Sequence, residues 1–389
     1  LGMAIFLVGS GMDLPCINCM IAQFYQPDDK RREYAFLWNY SGMNIGFMIG
    51  FSIAGSFQLS QNNGTLFALG GLANLVAELL DEGTKTRKSS EISEETEFIG
   101  AGLGASAGGD YSTITLSVLK KDLEKGFELF SDILLNPVFP QEELDRKRER
   151  IKGSLKQREE DPSFIASRAF NKEVFGEHPY GRLTEGSVET LSAISREDLV
   201  AFHLKYFVPN NAIFSVVGDI PSAELDSLIK KYLGQWNTAS APEKKINPMN
   251  EEKAKKVIKT EKDVTQATII LGHLGISRSN PDFYAVSVMN YILGGGGFSS
   301  RLMQKIRDEM GLAYGIYSYF GAAKEKGSFQ ISVQTKNESA NAVIMEMLSQ
   351  MERVKEEEVS AQELSDAKAY LTGSFPRRLD NSRKIADFL

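Results

Sequence analysis

Histidine and cysteine are almost absent from this chain: 389 residues carry three histidines, His178, His203 and His273, and two cysteines, Cys16 and Cys19. Two cysteines exclude a disulfide scaffold. Three scattered histidines leave little material for a histidine-rich metal site. Cys16 and Cys19 have CxxC spacing, but no second pair and no βαβ pattern accompany them, so no redox or zinc chemistry is assigned there. A basic surplus is missing too. Lys and Arg number 44 against 51 Asp and Glu, a net charge of -7 and a pI near 5.3, which argues against a nucleic-acid partner. What is present, 42% hydrophobic and 24% charged residues, is the balance of a folded chain of two or three domains.

Charge is also missing locally. From Tyr34 to Ala77 there is no ionisable side chain of Asp, Glu, Lys or Arg. Ala35 to Leu59 is 25 residues long, and as a helix it would run ~37 Å, enough to cross a hydrocarbon core of roughly 30 Å. Gly42, Gly46, Gly50 and Ala54 recur every fourth residue, a small-residue ladder that lets membrane helices approach closely. Leu1 to Tyr25 is a weaker second span, so residues 1–59 read as a transmembrane helical hairpin. The loop between the spans holds Lys30, Arg31 and Arg32, which places it in the cytoplasm and the body of the protein on the periplasmic or extracytoplasmic side. Residues 1–62 also resemble a fragment of a major-facilitator-type peptide transporter.

Beyond Gly64 the patterning changes. Leu72, Leu75, Val76, Leu79 and Leu80 make one helical stripe. Ser90 to Ile99 reads as a second helix, Tyr111 to Leu119 as an alternating strand, and Leu123 to Leu134 as a helix ended by Asn136-Pro137. A long charged helix is expected from Gln141 to about Glu160, a strand at Phe214–Val217 and a helix at Ala223–Leu233. Residues 237–262, polar and lysine-rich at their start with Pro242 and Pro248, read as a linker. A strand at Ala267–Gly272 and a helix at Pro281–Leu293 follow.

The two sides of the linker repeat each other. Leu116-Ser117-Val118 and a following helix match Ile331-Ser332-Val333 and a following helix. Glu143-Leu144 with Gly153-Ser154 likewise match Glu363-Leu364 with Gly373-Ser374. A period this long points to a duplicated α/β domain rather than a solenoid. The expected fold is therefore α+β with two related halves: 1–63 hydrophobic, 64–236 first half, 237–262 linker, 263–389 second half. Gly102 to Ala107 matches GxGxxA but lacks the strand-before, helix-after setting of a dinucleotide site. Gly294 to Gly297 has no following GK[ST] and reads as a tight turn.

The run GGGGFSSRLMQKIRDEMGLAYGIYSYF, with HPYGR at His178–Arg182, VFPQEELDRKRERI and REEDPSFIA, resembles the insulinase/pitrilysin peptidase family, which includes mitochondrial processing peptidase. The resemblance spans about 66–389 and implies two α+β halves enclosing a peptide chamber. It also implies a zinc site with the inverted motif H-x-x-E-H on a helix. Here that motif falls on Asn74, Ala77 and Glu78, and the third ligand position falls on Ser154: both histidines, the base and the third ligand are changed. No metal is expected in this chain. The family's Arg-x6-Tyr pair, which contacts the substrate carbonyl and the oxyanion, falls on Arg307 and Tyr314. Tyr317, three residues on, is expected on the opposite strand face. In some members a zinc-less subunit supplies this pair to a zinc-bearing partner. The resemblance thus implies a non-catalytic, substrate-binding subunit of a heterodimeric zinc metallopeptidase. Its partners would be a zinc-bearing paralogous subunit and a peptide or unfolded polypeptide. The alternatives are a membrane-tethered peptide-binding pseudo-enzyme or scaffold, and a transporter fragment fused by accident. Two departures stand out: the hydrophobic segment replaces the strands that should open the first half, and the chain stops at Leu389 where the second half would be expected to continue.

Overall fold

The computed structural model describes residues 50–51, 63–239, 249 and 255–389. Two antiparallel sheets organise them. In the first, β1 (Gly50–Phe51), β2 (Gly102–Ala107), β3 (Ser112–Ser117) and β4 (Ala212–Ile213) lie in the order β2-β3-β1-β4. The first half also contains the helices α1 (Asn63–Leu79), α2 (Ser89–Phe98), α3 (Leu123–Leu135), α4 (Gln141–Arg158), α5 (Pro162–Phe175), α6 (Val188–Ala193), α7 (Arg196–Tyr206) and α8 (Ser222–Leu233). The predicted stripe of α1 enters the main core, where Leu75, Leu79 and Leu80 meet Ile133, Leu144 and Leu199 with no solvent exposure.

The second sheet has the order β5-β7-β6, from β5 (Gln266–Leu274), β6 (Ala313–Phe320) and β7 (Ser328–Lys336). One face buries Ile316, Phe329, Ile331 and Val333 against Leu302, Met303, Val343 and Met347. The helices of this half are α9 (Phe283–Asn290), α10 (Ala340–Glu356), α11 (Ala361–Ser374) and α12 (Ser382–Phe388). The duplication appears directly: β3 leads into α3 and α4 as β7 leads into α10 and α11, and the matched Glu143-Leu144 and Glu363-Leu364 both sit in the second helix.

The halves touch along α5, whose start is fixed by Pro162 at its first position and by Asp161, which accepts the Ser163 N–H at 2.8 Å. The Phe170 ring lies against Gly272 of β5, and Gln334 of β7 donates to Ser163 Oγ at 3.2 Å. A second junction is polar: Tyr180 Oη donates to Asp110 at 2.5 Å and accepts the Glu325 N–H at 3.2 Å, while Asp110 accepts the Lys324 N–H at 3.3 Å.

Two expectations are corrected. The helix expected over Ala35–Leu59 is interrupted, because Gly50 and Phe51 pair with Thr113 and Ser112 on one side and with Ile213 and Ala212 on the other. Their backbone groups serve a sheet ladder, and the first sheet has a strand where none was expected. The rest of the expected hairpin, 1–49 and 52–59, lies outside the described residues; among the described residues no helix is long and apolar enough to cross a membrane. The strand expected at Phe214–Val217 falls instead at Ala212–Ile213. Pairing with β1 ends there, and Phe214 and Val216 turn into a satellite cluster with Phe127 and Leu225. The Gly102–Ala107 string, already read as no dinucleotide site, is itself the edge strand β2. Most of the expected linker also lies outside the described residues.

Candidate functional site

The altered motif lies where α1 meets α4. Ala77 is 1% exposed, so its methyl is simply part of the helix packing. Asn74 is half-buried, and its Oδ1 has no hydrogen-bond partner among the described residues. Glu78 reaches α4, where Arg150 Nη2 donates to its Oε2 and Lys147 Nζ stands 3.9 Å away. One turn on, Lys147 pairs with Glu82 at 2.9 Å, Arg146 reaches the other oxygen of Glu82 at 3.2 Å, and Ser89 Oγ donates to it at 2.6 Å. Burial works against the Glu82 charge, but these hydrogen bonds outweigh it and hold the carboxyl below its ordinary range. Ser154 is exposed on α4, one turn beyond Arg150. Among the described residues no group of three His, Cys, Asp or Glu side chains converges to hold a metal ion. The donor set does not fit zinc: a neutral amide, an exposed hydroxyl and a carboxylate already engaged by a guanidinium are poor replacements for imidazoles.

A tight corner joins α3 to α4. Phe139 adopts φ 48°, a left-handed conformation that a bulky side chain avoids. Arg196 clamps it by donating to Val138 O at 2.7 Å and Phe139 O at 3.0 Å. His203 packs edge-on against the Phe139 ring, stacks on Phe207 and hydrogen-bonds Leu134 O at 2.7 Å through Nε2. Burial lowers its imidazole to about 4, so it sits neutral in the core. His178 is also buried. Its Nδ1 accepts the Tyr180 N–H at 3.2 Å, and burial pushes its imidazole below the ordinary value. His273 is exposed, beside Phe329. All three are thus placed as structural residues, away from the α1–α4 contact.

Arg307 and Tyr314 do come together. Two π-helical segments, Tyr291–Gly295 and Met303–Glu309, flank the glycine-rich loop. Such wider turns cluster at functional sites. Arg301 anchors this region: it makes a two-pronged ion pair to Glu363 of α11, at 2.6 and 2.9 Å, which holds that carboxyl near 2. Arg307 lies on the second π-helical segment, and Gly311, at φ 66°, lets the chain reverse into β6. The Arg307 guanidinium carbon then stands 4.5 Å from the Phe298 ring centre and 5.7 Å from that of Tyr314.

Here the expectation about Tyr317 is corrected. The β6–β7 register steps from Ala313↔Thr335 to Ile316↔Val333, so two residues, Tyr314 and Gly315, oppose Gln334 alone. This bulge shifts the phase of the strand. Tyr314, 93% exposed, therefore lies on the same open face as Tyr317 and Tyr319. A Cβ on Gly315 would lie 3.1 Å from the Tyr317 ring, so the bulge glycine makes room for that ring. The contact of Phe298 with Arg307, the bulge, and the Lys147 and Arg150 partners of Glu78 were not anticipated from sequence; the one available signal was a glycine inside an otherwise alternating strand.

Residues 66–187 match the family model described as insulinase (peptidase family M16), and residues 193–371 match the peptidase M16 inactive domain. An uncharacterized zinc protease of Mycobacterium leprae is 29% identical over 265 residues, covering 67% of this chain and 59% of its own length. The chain thus spans less than two thirds of that relative. The solved peptidase M16 inactive domain from Pseudomonas fluorescens superposes with a TM-score of 0.77 at 30% identity, covering 85% of this chain and 78% of its own. A protease from Helicobacter pylori superposes with a TM-score of 0.78 at 21% identity, over 88% and 82% of the two chains, and shows the shared fold.

Proposed function

The chain belongs to the insulinase family of peptidases, family M16, and from that premise we propose that it is a non-catalytic, substrate-binding subunit of a heterodimeric zinc metallopeptidase. The observation that carries this reading is the contrast between its two halves. At the motif positions, Glu78 is taken up by Arg150, and Asn74, Ala77 and Ser154 offer neither strong ligands nor a base. In the second half the Arg307 guanidinium carbon stands 5.7 Å from the ring centre of Tyr314, on a wall where Tyr314 is exposed. A guanidinium and a phenol are good donors to an oxygen that gains negative charge, provided water is kept away. They are of use only if another subunit closes over that wall and brings the hydrolytic centre, which is a zinc-bearing paralogue in this proposal. The substrate class is a peptide or unfolded polypeptide.

The test is peptide turnover by the chain mixed with such a paralogue. Removing one oxyanion donor typically slows turnover by roughly 10²–10³. Arg307→Ala and Tyr314→Phe should do so while gel filtration shows assembly intact; unchanged turnover with both donors removed would make the pair structural. A second reading, a membrane-tethered scaffold that only binds peptides, draws on the apolar opening segment. With Gly50–Phe51 in the sheet, any tether belongs before Gly50.

A further inference from the structure

We propose that Phe298 is a positioning residue for Arg307, an inference that rests on the peptide-binding reading above. Phe298 is an apolar ring left 69% exposed at the tip of the glycine-rich loop. Its loop is not slack. The single 3₁₀ turn Gly297–Ser299 is tied back by Ser299 Oγ donating to Gly296 O at 2.9 Å and by the fully buried Ser300 donating to Gly297 O at 2.7 Å. A large apolar side chain on a fixed, solvated turn contributes little to folding, because most of its surface stays in water. What it does touch is a cation: the Arg307 guanidinium carbon is 4.5 Å from its ring centre, inside the range where an aromatic face attracts a cation.

Among the described residues Arg307 has little else to hold it: its nearest acid there is Asp308, its neighbour in sequence, with Oδ1 3.6 Å from Nη1. Its other flank meets the Tyr314 ring at 5.7 Å. An arginine side chain left free samples many rotamers and loses that freedom when it binds. The Phe298 face holds the guanidinium beside the bulged Tyr314 before any peptide arrives, so part of the ordering is already complete in the free protein. Phe298 donates no hydrogen bond and need not touch the peptide backbone; it acts through Arg307.

The experiment uses the full chain in detergent, with arginine side-chain NMR and with binding of fluorescein-labelled carboxymethylated casein. Above a ring face, the Arg307 Nε–H resonance is shifted upfield. That shift should persist in Phe298→Tyr and vanish in Phe298→Leu, which keeps apolar bulk without the aromatic face. Casein binding should weaken about two- to fivefold in Phe298→Leu, the equivalent of an exposed cation–π contact, and return in Phe298→Tyr. An upfield shift that survives in Phe298→Leu overturns the stack. A lost shift with unchanged binding, while Arg307→Ala does weaken binding, overturns the positioning role and leaves the peptide-binding reading standing. Binding unchanged in Arg307→Ala as well overturns both.

Discussion

Acid should loosen the first half, and His203 should carry a measurable share of the effect. Its imidazole is 7% exposed, hydrogen-bonded to Leu134 O at 2.7 Å, and lowered by burial from 6.5 to about 4. Between those values the unfolded chain binds a proton that the folded chain refuses. The stabilisation is therefore complete above pH 6.5 and is lost as pH falls toward 4. Lowering from 6.5 to about 4 corresponds to roughly 3 kcal/mol in full, of which about 2 kcal/mol disappears between pH 7 and 5. The perturbation is His203→Gln, whose amide N–H can still donate to Leu134 O but cannot titrate. It loses ring packing against Phe139 and Phe207, so it should be less stable at neutral pH by about 1–2 kcal/mol. Its further loss on going to pH 5 should be smaller than that of the parent by about 2 kcal/mol. Urea unfolding is read by Trp236, whose indole N–H donates to Phe207 O at 2.9 Å, next to the histidine. His178, also lowered by burial, is present in both proteins and cancels in the comparison. Parallel pH profiles for the two proteins would refute the reasoning, because the proton linkage would then lie elsewhere.

Two further predictions concern the contact between the halves. Tyr180→Phe removes the hydroxyl that joins Asp110 to the Glu325 N–H; a hydrogen bond to a carboxylate contributes about 1.5 kcal/mol. The Glu325 amide should then exchange with deuterium roughly tenfold faster if opening of this junction governs its protection, and an unchanged rate would remove the junction from the account. Gly272→Ala places a Cβ 2.0 Å from Phe329 O and 2.9 Å from the Phe170 ring. Overpacking of this kind costs about 1–3 kcal/mol, and a melting temperature equal to the parent's would show that β5 and α5 do not meet as described.

The helices were readable because their periodicity and punctuation agree. The stripe Leu72–Leu80, the Asn136-Pro137 stop and the start of α4 at Gln141 all fall where expected. The errors share a cause, which is pairing. Whether Phe214–Val217 is a strand depends on how far β1 extends beside it. Whether Tyr314 and Tyr317 oppose each other depends on a bulge set by β7. Neither fact is carried by the strand's own alternation. The helix expected across Gly50 failed in the same way, since small and apolar residues suit a strand between two partners as well as a membrane span. At the site, the identities at Asn74, Ala77, Glu78 and Ser154 could be placed by position. The partners of Glu78 could not: Arg150 lies 72 residues away, and only the crossing of two helices brings it near. Phe298 was hidden for another reason, because an exposed phenylalanine carries no periodic signal.

Zinc stoichiometry tests the central claim most directly. The purified full chain is equilibrated with zinc, passed through gel filtration and measured for metal by elemental mass spectrometry. With Glu78 paired to Arg150 and no histidine at position 74, the account predicts well under one equivalent, the same for the parent chain and for Glu78→Gln. One tightly held equivalent that disappears in Glu78→Gln would contradict it: the motif helix would still hold zinc, and the chain would be a metallopeptidase subunit in its own right.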